Sequence, residues 1–160
     1  MVEQTLSLMN EGADLDTIVH TVSLPHEVLE RPFLRPVYDE PEFVVHNIWR
    51  LYGGWYDGNP ARLKPPRADA AAAEVAAQAG GASVLADRAR ELADAGDLRV
   101  ACHLAELAVG AAPDDPDAHR ARAEVYDRRR RAESSLMAKG IYGAAADASR
   151  SVLEDGPTDG

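Results

Sequence analysis

The 160-residue sequence is poor in several residue types, and each shortage excludes a class of protein. It has one cysteine, Cys102, so it can form neither an intrachain disulfide nor a CxxC metal knuckle. No run of 18 apolar residues occurs, which argues against a transmembrane helix. Basic residues number 17 against 27 acidic ones, a formal net charge of −10, so the chain lacks the lysine and arginine excess that phosphate contacts require. We therefore expect no nucleic-acid binding and no membrane insertion. With no signal-peptide pattern in residues 1–12, we expect a cytoplasmic protein.

The usual catalytic and metal-binding motifs are missing as well. There is no GxSxG nucleophile elbow, no GxGxxG and no GxxxxGK[ST]. No two of the five histidines have the i, i+4 spacing of a helical zinc pair, and we expect His20 and His103 to be partly buried helix residues. We interpret Cys102 as a buried structural cysteine, and the arginines at 128–131 as a solvated helix end rather than an anion site.

Aromatic residues make up only 6% of the chain, whereas alanine supplies much of the 46% that is hydrophobic. Alanine has the highest helix propensity and lets helices approach closely, and the β-branched residues typical of strands are sparse beyond residue 60. The composition therefore predicts an all-α protein, a helical bundle of about seven or eight helices.

Hydrophobic periodicity, caps and helix breakers place these helices along the chain. Residues 1–60 are predicted to form one helical segment, with helices at 2–11, 15–22 and 42–57 and a single turn at 26–29; Asp14 is the predicted N-cap of the second helix. The basic stretch ARLKPPR, residues 61–67, is a predicted linker. The alanine-rich region 68–153 is predicted to hold five helices, at 68–79, 82–95, 98–111, 116–132 and about 134–153. Residues 154–160 are a predicted frayed tail.

The alanine-rich region also carries part of a repeat. If a 34-residue tetratricopeptide-like unit begins at Ala82, then Gly96, Ala101 and Ala108 fall where paired helices touch. The match covers about one and a half units, fewer than the roughly three that a free-standing solenoid needs. We therefore predict tetratricopeptide-like helix pairs inside a larger helical domain.

The scarce aromatic residues are concentrated near the end of the predicted helix 42–57, where both tryptophans lie. Two interpretations stay open: an aromatic core helix or interface seam, for which Trp, Tyr and Arg are preferred anchors, or one wall of a ligand pocket. The candidate pocket or interface residues are Trp49, Arg50, Tyr52, Trp55, Tyr56, Asp57 and Asn59. No residue is assigned a catalytic or metal-binding role.

Three motifs resemble one known family. They are the L-x-L-M-N-x-G pattern at residues 6–12, the Leu24-Pro25 pair, and the long and specific GWYDGNP turn at residues 54–60. Together with the segment VYDEPEFVVHNIWRLYGG before the turn, they resemble the middle part of the alkylsulfatases with a metallo-β-lactamase fold. The resemblance implies that residues 1–60 form the end of the catalytic domain and the start of the dimerisation domain. The alanine-rich helices at 68–153 are similar in kind to the dimerisation domain of that family, so the resemblance covers nearly the whole chain.

The resemblance implies a dimerisation domain rather than a complete enzyme. Members of the family hydrolyse alkyl sulfate esters with two zinc ions held in a preceding catalytic domain, and many end in a sterol-carrier-like domain. The HxHxDH zinc motif is absent here, so we expect no cofactor in this chain, with zinc only in the family's catalytic domain. Phe43 stands where well-studied members have a histidine that approaches the sulfate site, and His46 is not its match. No catalytic role is therefore transferred to this chain.

These observations predict a protein dimerisation module of an alkylsulfatase-like metallo-hydrolase, which is not an enzyme on its own and forms a homodimer. The alternative is a non-catalytic subunit or fragment that completes the pocket of a zinc-dependent alkyl sulfate ester hydrolase encoded separately. In that case Arg50, Tyr52 or Tyr56 would contribute to the pocket. A third interpretation, a tetratricopeptide-like adaptor for a peptide, would need more repeats than the sequence contains.

Overall fold

A computed structural model of the protein describes residues 1–156. These residues form nine α-helices and one short 3-10 helix at Pro60–Arg62, with no β-strand among them, which confirms the all-α prediction. The helices are α1 (Val2–Asn10), α2 (Leu15–Thr21), α3 (His26–Leu29), α4 (Pro41–Gly53), α5 (Ala68–Ala79), α6 (Ala82–Asp94), α7 (Leu98–Ala111), α8 (Pro116–Ala132) and α9 (Leu136–Asp155). None of the described helices is long and apolar enough to cross a bilayer.

The helix boundaries lie within two residues of the predicted ones in all but one case. The exception is α4, which ends at Gly53 rather than at residue 57, because Gly54 adopts a φ of +82° and turns the chain. At the other end of the chain, α9 continues to Asp155. Residues 157–160, the greater part of the predicted frayed tail, lie outside the described residues.

The described residues divide into two compact units. Unit 1 comprises Met1–Pro65 and the short segment Ser134–Met137. Unit 2 comprises Pro66–Glu133 and the described residues from Ala138 onward. The first two residues of α9 therefore belong to unit 1, and the remainder of that helix belongs to unit 2.

Unit 1 is built from α1, α2 and α4, which pack against one another. Its buried centre consists of Ile18 of α2, the adjoining Val22, and Val45 of α4. These residues occupy the apolar stripe of each segment, so burying them removes that stripe from water. Half-buried side chains, including Met9 of α1 and Trp49 of α4, close the cluster.

Unit 2 contains α5 to α8 and most of α9, and in it α7 packs against α5, α6 and α8. Its two hydrophobic clusters consist mainly of alanine, whose short side chain lets helix axes approach closely. At one such approach, a Cβ placed on Gly110 of α7 would lie 3.0 Å from the Cβ of Ala72 on α5. Ala101 and Ala108, at small-residue positions of the predicted repeat, are fully buried. The tetratricopeptide-like character of the helix pairs stays a prediction.

Candidate functional site

Helix α4 carries the first part of the predicted site and has a buried and an exposed side. Val45 and Ile48 are buried, whereas Arg50 is exposed. Trp49 is half-buried, and its indole N–H donates a 3.1 Å hydrogen bond to the backbone oxygen of Tyr56. This bond holds the segment that follows α4 against the helix.

Residues 57–62 form a turn that is held by its own polar side chains. The Asp57 carboxylate accepts hydrogen bonds from the Asn59 backbone N–H at 2.9 Å and from the Arg62 guanidinium at 2.8 Å. The Arg62 bond, followed by the Asn59 bond, holds the pKa of Asp57 below its usual range. The Asn59 side-chain oxygen accepts a bond from the Ala61 backbone N–H at 3.0 Å. The Asp57 backbone oxygen accepts one from the Leu15 N–H at 3.1 Å, which ties the turn to the start of α2.

One position of this turn requires glycine. Gly58 has a φ of +94°, and a Cβ placed on it would lie 2.8 Å from the Cβ of Asp14. Asp14 is the N-cap of α2, where its carboxylate accepts a 2.8 Å hydrogen bond from the Thr17 backbone N–H. The turn therefore packs directly on the N-terminus of α2, with no space for a larger side chain.

The seven predicted site residues divide into two groups. Those that hold the turn in place are Trp49, Tyr56, Asp57 and Asn59. The other three, Arg50, Tyr52 and Trp55, are exposed; Tyr52 is 61% and Trp55 is 73% exposed. The Trp55 ring meets the Tyr56 ring edge to face, with centroids 6.1 Å apart. The assignment of these residues to a pocket or an interface stays a prediction.

A second group of exposed apolar residues lies in the loop before α4, and sequence reasoning missed it. The group consists of Phe33, Leu34, Val37 and Tyr38. The backbone oxygen of Val37 accepts a 2.8 Å hydrogen bond from the Leu136 N–H, and that of Tyr38 accepts a 2.6 Å bond from the Ser135 hydroxyl. The sequence feature that could have indicated this group is the occurrence of aromatic residues between closely spaced prolines. Prolines prevent a regular element, so side chains between them are less often part of a regular core.

Unit 2 contains a buried polar network that no sequence motif revealed. His119 Nε2 lies 2.7 Å from the backbone oxygen of Pro113, so this nitrogen carries the donated proton. His119 Nδ1 lies 3.2 Å from the Ser149 hydroxyl. Arg122 donates to that hydroxyl at 3.0 Å and to the backbone oxygen of Ala145 at 2.7 Å. The Ser149 hydroxyl therefore accepts from the arginine and, with a neutral imidazole, donates to the histidine. The network links α8 to α9.

The expectation that His20 and His103 are partly buried was wrong. Both are exposed, and the buried histidine is His119, with 6% exposure. His103 follows the fully buried Ala101 by two residues. It therefore lies about 200° from Ala101 around the axis of α7, on the opposite side of the helix. The imidazole Nδ1 of His20 lies 2.8 Å from the backbone oxygen of Asp16, close to the surface of α2.

Cys102 and the arginine run contribute to packing in unit 2. Cys102 is half-buried, and burial raises the pKa of its thiol to about 11. Arg128 forms an ion pair with Asp94, and Arg129 forms one with Glu133 at 2.6 Å. Because the Arg129 side chain is only 16% exposed, this part of the run is packed rather than solvated, contrary to the sequence interpretation.

Zinc is the metal that the family resemblance implies for a catalytic domain. Within residues 1–156, no three His, Cys, Asp or Glu side chains form a group that could hold a metal ion. Residues 1–156 therefore do not fit a zinc site.

Residues 14–152 match the protein-family model described as alkyl sulfatase dimerisation. The chain belongs to the alkyl sulfatase dimerisation family. The match confirms the resemblance and extends from the N-cap of α2 almost to the end of α9.

The relatives of this alkyl sulfatase dimerisation domain are much longer proteins. The chain is 35% identical over 127 residues to an (R)-specific secondary-alkylsulfatase of Pseudomonas sp.. The aligned residues make up 78% of this chain and 19% of that protein. It is 32% identical over 120 residues to an alkyl/aryl-sulfatase of Saccharomyces cerevisiae. That alignment covers 75% of this chain and 18% of the yeast protein. The solved stereoselective inverting sec-alkylsulfatase Pisa1 from Pseudomonas sp. superposes with a TM-score of 0.83 at 28% identity, covering 98% of this chain and 24% of that one. The chain thus spans less than a quarter of each of these proteins.

Proposed function

We propose that this chain is the protein dimerisation module of an alkylsulfatase-like metallo-hydrolase and that it self-associates as a homodimer. The observation that carries the proposal is the match of residues 14–152 to the alkyl sulfatase dimerisation family. On this proposal the zinc chemistry resides in a catalytic domain separate from residues 1–156, where no group of side chains fits a metal ion.

Exposed apolar side chains support self-association. In unit 1 the exposed large apolar residues include Phe33, Leu51 and Trp55, at 80%, 76% and 73%. Burying such residues against a partner is the main favourable term in protein association, and aromatic residues are enriched at interface cores. A second copy offers the same surface, as a two-fold interface requires.

The test is the mass of the purified chain in solution, measured by sedimentation velocity and light scattering over a concentration series. We expect a species of twice the 17.2 kDa chain mass. A folded monomer at roughly 100 μM, where a micromolar dimer would be almost saturated, would refute the proposal.

The turn at residues 57–62 supports a second candidate function. It is held rigidly, with Arg50 and Tyr52 exposed nearby in sequence, and an arginine is suited to an anionic group. In this alternative the chain completes the pocket of a separately encoded zinc-dependent alkyl sulfate ester hydrolase. The test mixes the chain with a zinc hydrolase encoded next to it and measures sulfate release from an alkyl sulfate. Activity that needs both chains and falls with Arg50→Ala would favour this alternative.

Two further details belong to the proposal. A cytoplasmic location agrees with the single free cysteine, since reducing compartments keep thiols unpaired. Tetratricopeptide-like packing in unit 2 is supported by the burial of Ala101 and Ala108 at two of the repeat's contact positions.

A further inference from the structure

Unit 1 exposes seven apolar residues in α4 and in the segments next to its two ends. We name this set the aromatic surface: Phe33, Leu34, Val37, Tyr38, Leu51, Tyr52 and Trp55. We propose that two copies of the chain meet through the aromatic surface, in a two-fold symmetric interface. The inference rests on the self-association proposed above and specifies which surface is responsible for it.

The dimensions of α4 allow one interface to include both ends of the aromatic surface. The helix has 13 residues and is therefore about 20 Å long. A standard interface buries about 800 Å² per partner, which corresponds to a disc roughly 30 Å across. Asn47, Arg50 and Leu51 are all exposed and, at i, i+3 and i+4, share one side of the helix between the two ends.

The exposed area is large enough to matter for association. Phe33, Tyr38, Tyr52 and Trp55 are 80%, 62%, 61% and 73% exposed. At ~150–250 Å² for each aromatic side chain, these four alone present roughly 600 Å² to solvent. Summed over the segments at both ends of α4, this area equals that of the largest single apolar patch on a typical monomer, about 300–600 Å². With the three aliphatic residues added, the surface approaches the area that one partner of a stable dimer buries.

The loop that carries half of the aromatic surface is ordered before any partner binds. Its carbonyl groups at Val37 and Tyr38 accept hydrogen bonds from Leu136 N–H at 2.8 Å and from the Ser135 hydroxyl at 2.6 Å. The Met137 N–H adds a 3.3 Å bond to the Tyr38 oxygen. A loop fixed in this way loses little conformational freedom when it enters an interface, which favours tight association.

The charges around the aromatic surface favour a second copy as the partner. Residues 31–55 contain three basic and three acidic side chains, whereas the rest of residues 1–60 contains seven acidic and no basic ones. The three basic side chains are Arg31, Arg35 and Arg50, and none forms an ion pair within the part of the chain that is described. Two copies of an acidic surface would repel each other, whereas two copies of a locally neutral surface would not, and an exposed arginine of one copy can meet the exposed Asp39 of the other across a two-fold axis.

The test uses two substitutions that add a charge to the aromatic surface of the full chain. Leu51→Asp and Phe33→Asp change side chains that are 76% and 80% exposed, so the fold of the monomer should be preserved. We expect each to raise the dimer dissociation constant by about thirtyfold or more, the effect of losing a central interface residue. Ile141→Asp, at a 60% exposed position of α9 in unit 2, is the matched control and should leave the constant unchanged.

The outcomes separate this inference from the proposed function. A monomeric wild-type chain would refute both. A wild-type dimer whose dissociation constant is the same in Leu51→Asp and Phe33→Asp would overturn only the inference, as would a dimer broken by Ile141→Asp alone.

A measurement on the unmodified chain covers the case in which a variant does not fold. Trp55 is 73% exposed, so its fluorescence should shift to the blue and become less sensitive to acrylamide when dimers form on raising the concentration. Emission and quenching that stay constant while the mass doubles would overturn the inference.

Discussion

Gly58→Ala is the substitution whose effect on stability the structure defines most sharply. Holding an L-residue at the φ of +94° found here costs about 1–2 kcal/mol. The added Cβ would also lie 2.8 Å from the Cβ of Asp14, an atom next to the backbone that cannot swing away as the end of a long side chain can. Overpacking of this kind costs about 1–3 kcal/mol. We therefore expect the free energy of unfolding of unit 1 to fall by about 3 kcal/mol.

Gly12→Ala is the matched control for this substitution. Gly12, also in unit 1, has a similar φ of +85°, but a Cβ placed on it would have no heavy atom within 4 Å. It should therefore show only the backbone cost, about 1–2 kcal/mol. The difference between the two variants isolates the contact between the turn and the N-terminus of α2.

Urea unfolding followed by tryptophan fluorescence is the appropriate assay. Both tryptophans, Trp49 and Trp55, belong to unit 1, so the signal reports on that unit. All variants must be compared at one protein concentration, since self-association adds to the apparent stability. Equal losses for Gly58→Ala and Gly12→Ala would refute the reasoning, because the contact with Asp14 would then contribute nothing.

Three further predictions concern unit 2. Ser149→Val removes a fully buried hydroxyl that hydrogen-bonds to both His119 and Arg122. It should lower the free energy of unfolding, measured by thermal denaturation, by about 2–3 kcal/mol. The control Ala148→Ser, at an exposed position, should change that free energy by under about 0.5 kcal/mol. The hydrogen bond from Arg90 lowers the pKa of Asp117, so this carboxylate stabilises the fold fully above the unfolded value of about 3.9, and the contribution is lost as the pH falls through the folded-state pKa. Asp117→Asn should accordingly flatten the acid side of the stability curve, and an unaltered curve would contradict this account. With a pKa of about 11, the Cys102 thiol has about a hundredfold less thiolate at pH 8 than a thiol at the ordinary value of 9.0, so labelling by a thiol reagent should be about a hundredfold slower than in denaturant. Equal labelling rates in the two conditions would rule this out.

The helices were predictable because their signals are local. Asp14, Asp97 and Asp115 cap helices that follow them directly, and Gly80 adopts the left-handed conformation that ends α5. The alanine-rich composition of unit 2 likewise predicts close-packed helices, although it does not specify which helix packs against which. Each of these features depends on residues that are neighbours in sequence.

The candidate surface was only half predictable because exposure depends on the tertiary structure. Trp49 and Trp55 lie six residues apart in one aromatic cluster, yet the first is half-buried and holds the turn while the second is exposed. The loop at 33–38 obtains its hydrogen-bond donors from Ser135 and Leu136, about a hundred residues later, and no pattern in the loop itself indicates that pairing.

The discontinuity of unit 1 has a consequence for synthesis on the ribosome. The chain emerges from its N-terminus, so the oxygens of Val37 and Tyr38 remain without Ser135 and Leu136 until α5 to α8 have been made. The loop that carries half of the aromatic surface can thus become ordered only when most of the chain has been translated. Nascent chains growing side by side on one messenger would then not present this ordered loop to each other while unit 2 is still unfinished.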